Sequence, residues 1–217
     1  MDLSRDRRSG ATALAERALD LLAKRKAPAL MAARPSMPLI AAVVRLAMRK
    51  GVAAARRELR SSLARIVRQA EDVLPPGGRF VVFGSSGTVL SVVKAVKGRI
   101  VPGFPADVAL VGADALLPGG DFVNAKGSSA FIRRARAASC GVFAVASELK
   151  RVKEMPALEK GFERVDGKLV HAILTERGLE YPPLAAVAGV DPTWLDRGAL
   201  DPGGGSGRCH PHHPPRP

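Results

Sequence analysis

Three short stretches of the chain carry residue types suited to holding an anion or moving a proton. The first is Gly84-Ser85-Ser86-Gly87-Thr88, two hydroxyls and small residues placed just before an apolar helical run. Free backbone N–H groups at a helix start suit a phosphate. A tight strand-to-helix turn that needs only small residues reads the same way. The second is Asp114, a single carboxylate closing the apolar run VALVGA. A carboxylate there can act as a base or hold sugar hydroxyls, or it can serve as a turn or N-cap aspartate. The third comprises Asn124, Lys126, Gly127 and Ser128, read as a turn and helix start and a further anion position. Lys150 closes the loop after the next apolar run.

The elements that must position these residues follow from hydrophobic periodicity. Residues 11–26 predict an amphipathic helix, with Leu14, Ala18, Leu21 and Leu22 on one face. ARPSMPLI interrupts with Pro35 and Pro38, and residues 39–49 and 52–73 return to helical spacing. VLPPGG, residues 73–78, is a breaker. Beyond it the pattern changes. RFVVFG, ADVALVG, GVFAVAS and KLVHAILT read as strands, and TVLSVVKAV and SSAFIRRARAAS as the helices between them. Continuous apolar strands alternating with helices predict a parallel sheet covered on both faces. The expected architecture is α/β: a basic helical N-terminal region over 1–75, a Rossmann-like parallel-sheet domain over 79–190, and a disordered Gly/Pro/His tail over 191–217. In such a sheet, ligands bind beyond the carboxyl ends of the strands. All three stretches fall on that edge.

Composition narrows the function classes. The 217 residues carry a net charge of +14, and its placement is uneven. Residues 1–70 hold 16 Lys and Arg against 5 Asp and Glu, and the remainder 18 against 15. The basic helices are either a surface for nucleic acid or the arginine-rich solvent face of a helical segment. No aromatic residue is present there for base stacking. Cys140 and Cys209 have no metal-ligand or redox-motif spacing and imply no disulfide framework, which suits a reducing cytoplasm. The N-terminus lacks the apolar core of a secretory signal, and MPLIAAVV is too short to span a bilayer. His210, His212 and His213 sit in the tail, where weak adventitious metal affinity is the expectation; no cofactor or metal site is expected.

Several of these segments, in order, resemble the family that joins the alpha, beta and delta regulatory subunits of translation initiation factor 2B with methylthioribose-1-phosphate isomerase and ribose-1,5-bisphosphate isomerase. GADALLPGGDFVNAKGS is similar to the family's Gly-Ala-Asp … Asn-Lys-x-Gly-Thr signature. ARPSMPLI resembles its Arg-Pro-Thr/Ser loop, FGSSGTVLSVV its Thr-His-Cys or Thr-His-Ser loop, and AVASELK its strand ending near Pro-x-x-Lys. FERVDGKLVHAILTERGL resembles its closing segment. The matches run from about residue 30 to about residue 183.

The resemblance implies a helical N-terminal region, a Rossmann-like domain, and a homodimer or family heteromer. It also implies a sugar phosphate or nucleotide ligand held by Arg34, Gly84, Ser85, Ser86, Gly87, Thr88, Asn124, Lys126, Gly127 and Lys150. The isomerases use a Cys and an Asp. The Asp maps onto Asp114, and the Cys onto Gly84, which has no side chain to move a proton. Two further departures stand out. Only KGRIVPGFP separates Val96 from Ala106, too short for a β-α unit that the family carries there. Lys126 also lies one position later than the family's lysine. The expectation is a binding or regulatory member without catalysis. The alternatives are an aldose–ketose isomerase acting on a phosphorylated ribose through Asp114, and a nucleic-acid or ribosome-associated protein using the basic helices.

Overall fold

The computed structural model describes residues 3–6 and 8–182, which lie in one compact unit. The expected tail, with Cys209, His210, His212 and His213, lies outside the described residues.

Four helices precede the sheet: α1 (Ala11–Leu21), α2 (Ala27–Met31), α3 (Leu39–Lys50) and α4 (Val52–Val73). The helix expected over 11–26 stops five residues early, before Leu22 and the run Ala23-Lys24-Arg25-Lys26. The short α2 follows, with Pro28 in its first turn, where a missing N–H costs nothing. Gly51 separates α3 from α4 at φ +84°, a left-handed angle that an L side chain resists. Leu14, Ala18 and Leu19 of α1 pack with Leu39, Ile40, Val43 and Val44 of α3 and Leu59 of α4. This aliphatic core leaves the arginines outside.

The α/β part contains β1 (Arg79–Phe83), α5 (Gly87–Ala95), β2 (Arg99–Ile100), β3 (Val108–Gly112), α6 (Ser128–Ala137), β6 (Gly141–Val145), β8 (Ala172–Thr175) and β9 (Gly178–Glu180). These strands form a sheet in the order β2-β1-β3-β6-β8-β9, parallel except for the β8–β9 pair. Register runs Val82↔Leu110 and Leu110↔Phe143 through the centre. All five residues of β3 are buried, which explains its unbroken apolar run. Ala109 and Val111 face Ile132 and Ala135 of α6. Alternation turns Val108 and Leu110 to the other face, where α4 and α5 lie.

A second, antiparallel sheet, β4 (Ala115–Leu116), β5 (Phe122–Ala125) and β7 (Phe162–Val165), was not expected from the sequence. Asn124 therefore lies in a strand rather than in a turn. Between α5 and β3 the chain forms only the two-residue β2 and a link over 101–107, with no helix.

Strand order decides where a ligand can sit. The first strand has its successor β2 on one side and β3 on the other, so the connections leave β1 in opposite directions. This is the switch point at which open α/β sheets form a crevice. Its β1–β2 side depends on Gly98, where an added Cβ would sit 2.4 Å from the ring of the fully buried Phe80. Gly98→Ala should destabilise the protein by about 1–3 kcal/mol, the usual penalty for overpacking, read as a lower denaturation midpoint with an unchanged slope.

Candidate functional site

Two of the three sequence-marked stretches meet at the switch point. The chain leaves β1 at Gly84, which has φ +75° and open space around the position of a Cβ. Ser86 caps α5, its Oγ accepting from the Val89 N–H at 3.4 Å. A Cβ on Gly112, at the end of β3, would lie 3.2 Å from Ser86 Oγ. The loop after β1 thus presses on the end of β3. Thr88 is buried in the first turn of α5, whereas Ser85 and Gly87 are exposed.

Asp114 stands two residues beyond β3, where the chain passes from the parallel sheet into β4. Its N–H donates to the Val123 carbonyl at 2.7 Å, tying it to β5. Part of the residue's surface is open, yet protein surrounds the carboxyl on nearly every side. Burial pushes this carboxyl above the ordinary aspartate range; Lys150 and Arg34 pull it back, and Glu159 adds to the rise. Lys150 closes a 3₁₀ turn after β6 and is 5% exposed. Its Nζ donates to the Ala113 carbonyl at 2.6 Å. Burial draws the ammonium down, and Asp114 opposes that. A carboxyl raised by burial near a buried lysine ammonium is suited to proton transfer or to holding polar hydroxyls.

Arg34, in the loop between α2 and α3, is 2% exposed. Its Nε donates to both Glu159 oxygens, at 2.8 and 3.1 Å, and its Nη1 donates to the Asp6 carbonyl. The guanidinium also stands 5.8 Å from the Phe162 ring. The third stretch is arranged around α6. Asn124 Nδ2 donates to Ser128 Oγ at 2.9 Å, and Ser128 Oγ donates to the Ala125 carbonyl at 2.6 Å. Gly127, at φ +95°, precedes α6 and leaves a Cβ only 3.4 Å from the Phe83 ring at the end of β1. Lys126 is exposed; its N–H donates to the Gly161 carbonyl at 2.8 Å.

Some of the site's residues were missed by sequence reasoning. Glu159 and Glu163, the latter accepting from the Ser129 N–H at 2.8 Å, put carboxylates at Arg34 and at the start of α6. Ser36 exchanges hydrogen bonds with the same segment: Oγ accepts from the Glu159 N–H at 2.8 Å and donates to the Ala157 carbonyl at 3.2 Å. Glu163 lies in FERVDGKLVHAILTERGL and Ser36 in ARPSMPLI, both segments that resemble the family, whereas Glu159 had no signal beyond its spacing of four from Glu163. Cys140 sits before β6, at the opposite edge, with Sγ donating to the Ala106 carbonyl at 3.0 Å; burial pushes its thiol up, away from reactivity.

The basic helices neutralise part of their charge internally. Arg56 pairs with Glu16 and Asp20, Arg65 with Glu58, and Arg17 with Asp6. Arg45, Arg49, Lys50, Arg57 and Arg68 are exposed and have no ion-pair partner among the described residues. Two open grooves, of about 680 and 690 Å³, lie on this side rather than at Asp114. One is bordered by Lys50, Arg57 and Leu149, the other by Arg65, Glu148 and Arg177. Neither is lined by Asp114 or Lys150. Among the described residues no cluster of side chains is suited to a metal ion, and no helix is long and apolar enough to cross a membrane.

The raised Asp114 carboxyl has a thermodynamic consequence. Between its unfolded and folded titration midpoints the native state binds the extra proton, so stability falls as pH rises through that window. Relative to wild type, Asp114→Asn should gain stability as pH rises through that window. The gain should vanish below the ordinary aspartate value of about 3.9. Thermal melts of both proteins across pH check it.

No family model matches the chain, and no curated protein matches it. Solved structures do. Translation initiation factor eIF-2B from Pyrococcus horikoshii OT3 superposes with a TM-score of 0.68 at 16% identity, over 83% of this chain and 94% of that one. A chain of the tetrameric eIF2B-beta2-delta2 complex from C. thermophilum gives 0.62 at 17% identity, over 83% and 88%. The 5-methylthioribose 1-phosphate isomerase from Pyrococcus horikoshii OT3 gives 0.57 at 17% identity, over 83% of each chain. At such identities the likeness establishes the fold. The chain has the helix-plus-parallel-sheet fold of the initiation factor 2B subunits and of methylthioribose-1-phosphate isomerase, as the order of its motifs implied.

Proposed function

We propose that the chain is a regulatory or binding member of the initiation factor 2B and sugar-phosphate isomerase family. In this reading it holds a phosphorylated sugar or nucleotide at the carboxyl ends of β1 and β3 without converting it, and assembles as a dimer or with related subunits. The observation that carries the reading is Asp114 at the end of β3 beside the buried Lys150, whose Nζ donates to the Ala113 carbonyl, with Gly84 at the family's thiol position in the loop after β1. Asp114 holds ligand hydroxyls, Lys150 holds the Ala113–Asp114 backbone in place, and Arg34, together with Ser85, Ser86 and the start of α5, takes the phosphoryl group. Asn124, Ser128 and Gly127 support the rim. Without a side chain at Gly84 the second proton-transfer group is missing, and Cys140 cannot supply it from the opposite edge.

One observation favours isomerase activity as a second reading: burial raises the Asp114 carboxyl, the direction in which an acid or base catalyst is tuned. The exposed cations on α3 and α4 suit a polyanionic partner, whose affinity would fall steeply with salt.

The test is a thermal-shift titration with ribose phosphates, methylthioribose 1-phosphate and AMP, run on wild type and Asp114→Asn. A ligand at 100 times its dissociation constant should add about 2.7 kcal/mol of stability to wild type and much less to the variant. A nuclear magnetic resonance assay of the bound sugar phosphate should show no aldose-to-ketose conversion; turnover would select the isomerase reading. The binding reading fails if no ligand shifts wild type.

A further inference from the structure

Two of the anion positions marked by the sequence, Arg34 and the start of α6, are already filled from within the chain. Both oxygens of Glu159 accept from Arg34 Nε, and a Glu163 oxygen accepts from the Ser129 N–H in the first turn of α6. The two carboxylates belong to a single stretch that runs into β7. That stretch is fastened to the Arg34–Ser36 loop by Ser36, which bonds both Ala157 and Glu159. Its charge reaches the reactive position, since Glu159 raises the Asp114 carboxyl while Arg34 lowers it.

We propose that Glu159 is an internal anion latch. It occupies the Arg34 guanidinium in the empty protein, and the phosphoryl group of a ligand displaces it on binding. The inference rests on the sugar-phosphate reading above and deepens it by naming the residue that sets the ligand's charge threshold. A guanidinium that is 2% exposed cannot be left without an anion, because an uncompensated buried charge is strongly destabilising. Arg34 therefore exchanges one anion for another. A phosphate offers more charge and more acceptor oxygens than a carboxylate, and guanidinium–phosphate contacts are among the strongest hydrogen bonds. A neutral sugar has nothing to exchange, so the latch rejects it. Displacing Glu159 also loosens the stretch from 155 to 160, which Ser36 and Arg34 help to anchor. Ligand entry and loop opening are then one event, and the apparent affinity is reduced by the scarcity of the open state.

The experiment compares wild type with Glu159→Gln in thermal melts titrated with inorganic phosphate, ribose 5-phosphate and ribose, at matched ionic strength. The variant should melt lower than wild type in anion-free buffer. It should be restored by phosphate and by ribose 5-phosphate at half-saturating concentrations about tenfold or more below those of wild type. Ribose should act on neither protein. Equal half-saturation in the two proteins overturns the latch and leaves the sugar-phosphate reading standing. No response from either protein to any phosphorylated compound overturns that reading and the latch with it. Should Glu159→Gln not fold, hydrogen exchange on wild type decides: ribose 5-phosphate should accelerate exchange over residues 155–160, and binding with unchanged or slower exchange there contradicts the proposal.

Discussion

A buried lysine ammonium, held against the Ala113 carbonyl beside Asp114 at the end of a central strand, is the constraint on which this end of the sheet depends. Asp114 and Lys150 each bear the cost of burial, and each is partly relieved by the other's charge. The pair needs a parallel sheet that ends at Gly112, so that the Ala113 carbonyl is free to accept from Lys150. It needs the chain to turn at once into β4, which fixes the Asp114 backbone against β5. It also needs cover, because an open sheet edge would let water solvate both groups and remove their mutual dependence.

The helical region supplies that cover through contacts far apart in sequence. Arg34 arrives from the α2–α3 loop and is gripped by Glu159, 125 residues later. Ser62 of α4 shares a buried network with Ser147, their hydroxyl oxygens 2.6 Å apart, and both bond Glu176 after β8. Leu149 and Phe162, from either side of the Glu159 segment, pack into the aliphatic core of the helices. The basic helices therefore pack against the loops that follow β6 while keeping a charged outer surface.

How much of this could be read from the sequence depends on how local each signal is. The strands 79–83, 108–112 and 141–145 stood out because burial on both faces makes them continuously apolar. Helices α3 and α4 matched their periodicity almost to the residue. Asp114 and Lys150 were legible as polar residues ending apolar runs. The antiparallel sheet was not: Phe122–Ala125 is four residues long, and its partner Phe162–Val165 lies some forty residues on. FVNA before a glycine therefore read as a turn. Arg34 was legible only through its motif, and nothing local revealed that Glu159 would meet it. Burial of a charged group is a property of the assembled fold, and the letters beside it do not report it.

The most direct measurement of the account is the titration of the Asp114 side-chain carboxyl by carbon-detected nuclear magnetic resonance. The account predicts a midpoint above the ordinary aspartate value of about 3.9, moving lower when Glu159 is replaced by glutamine. A midpoint at or below the ordinary value would mean that solvent or the neighbouring cations keep Asp114 ionised, and that burial does not set the chemistry at the end of β3 on which the functional reading stands.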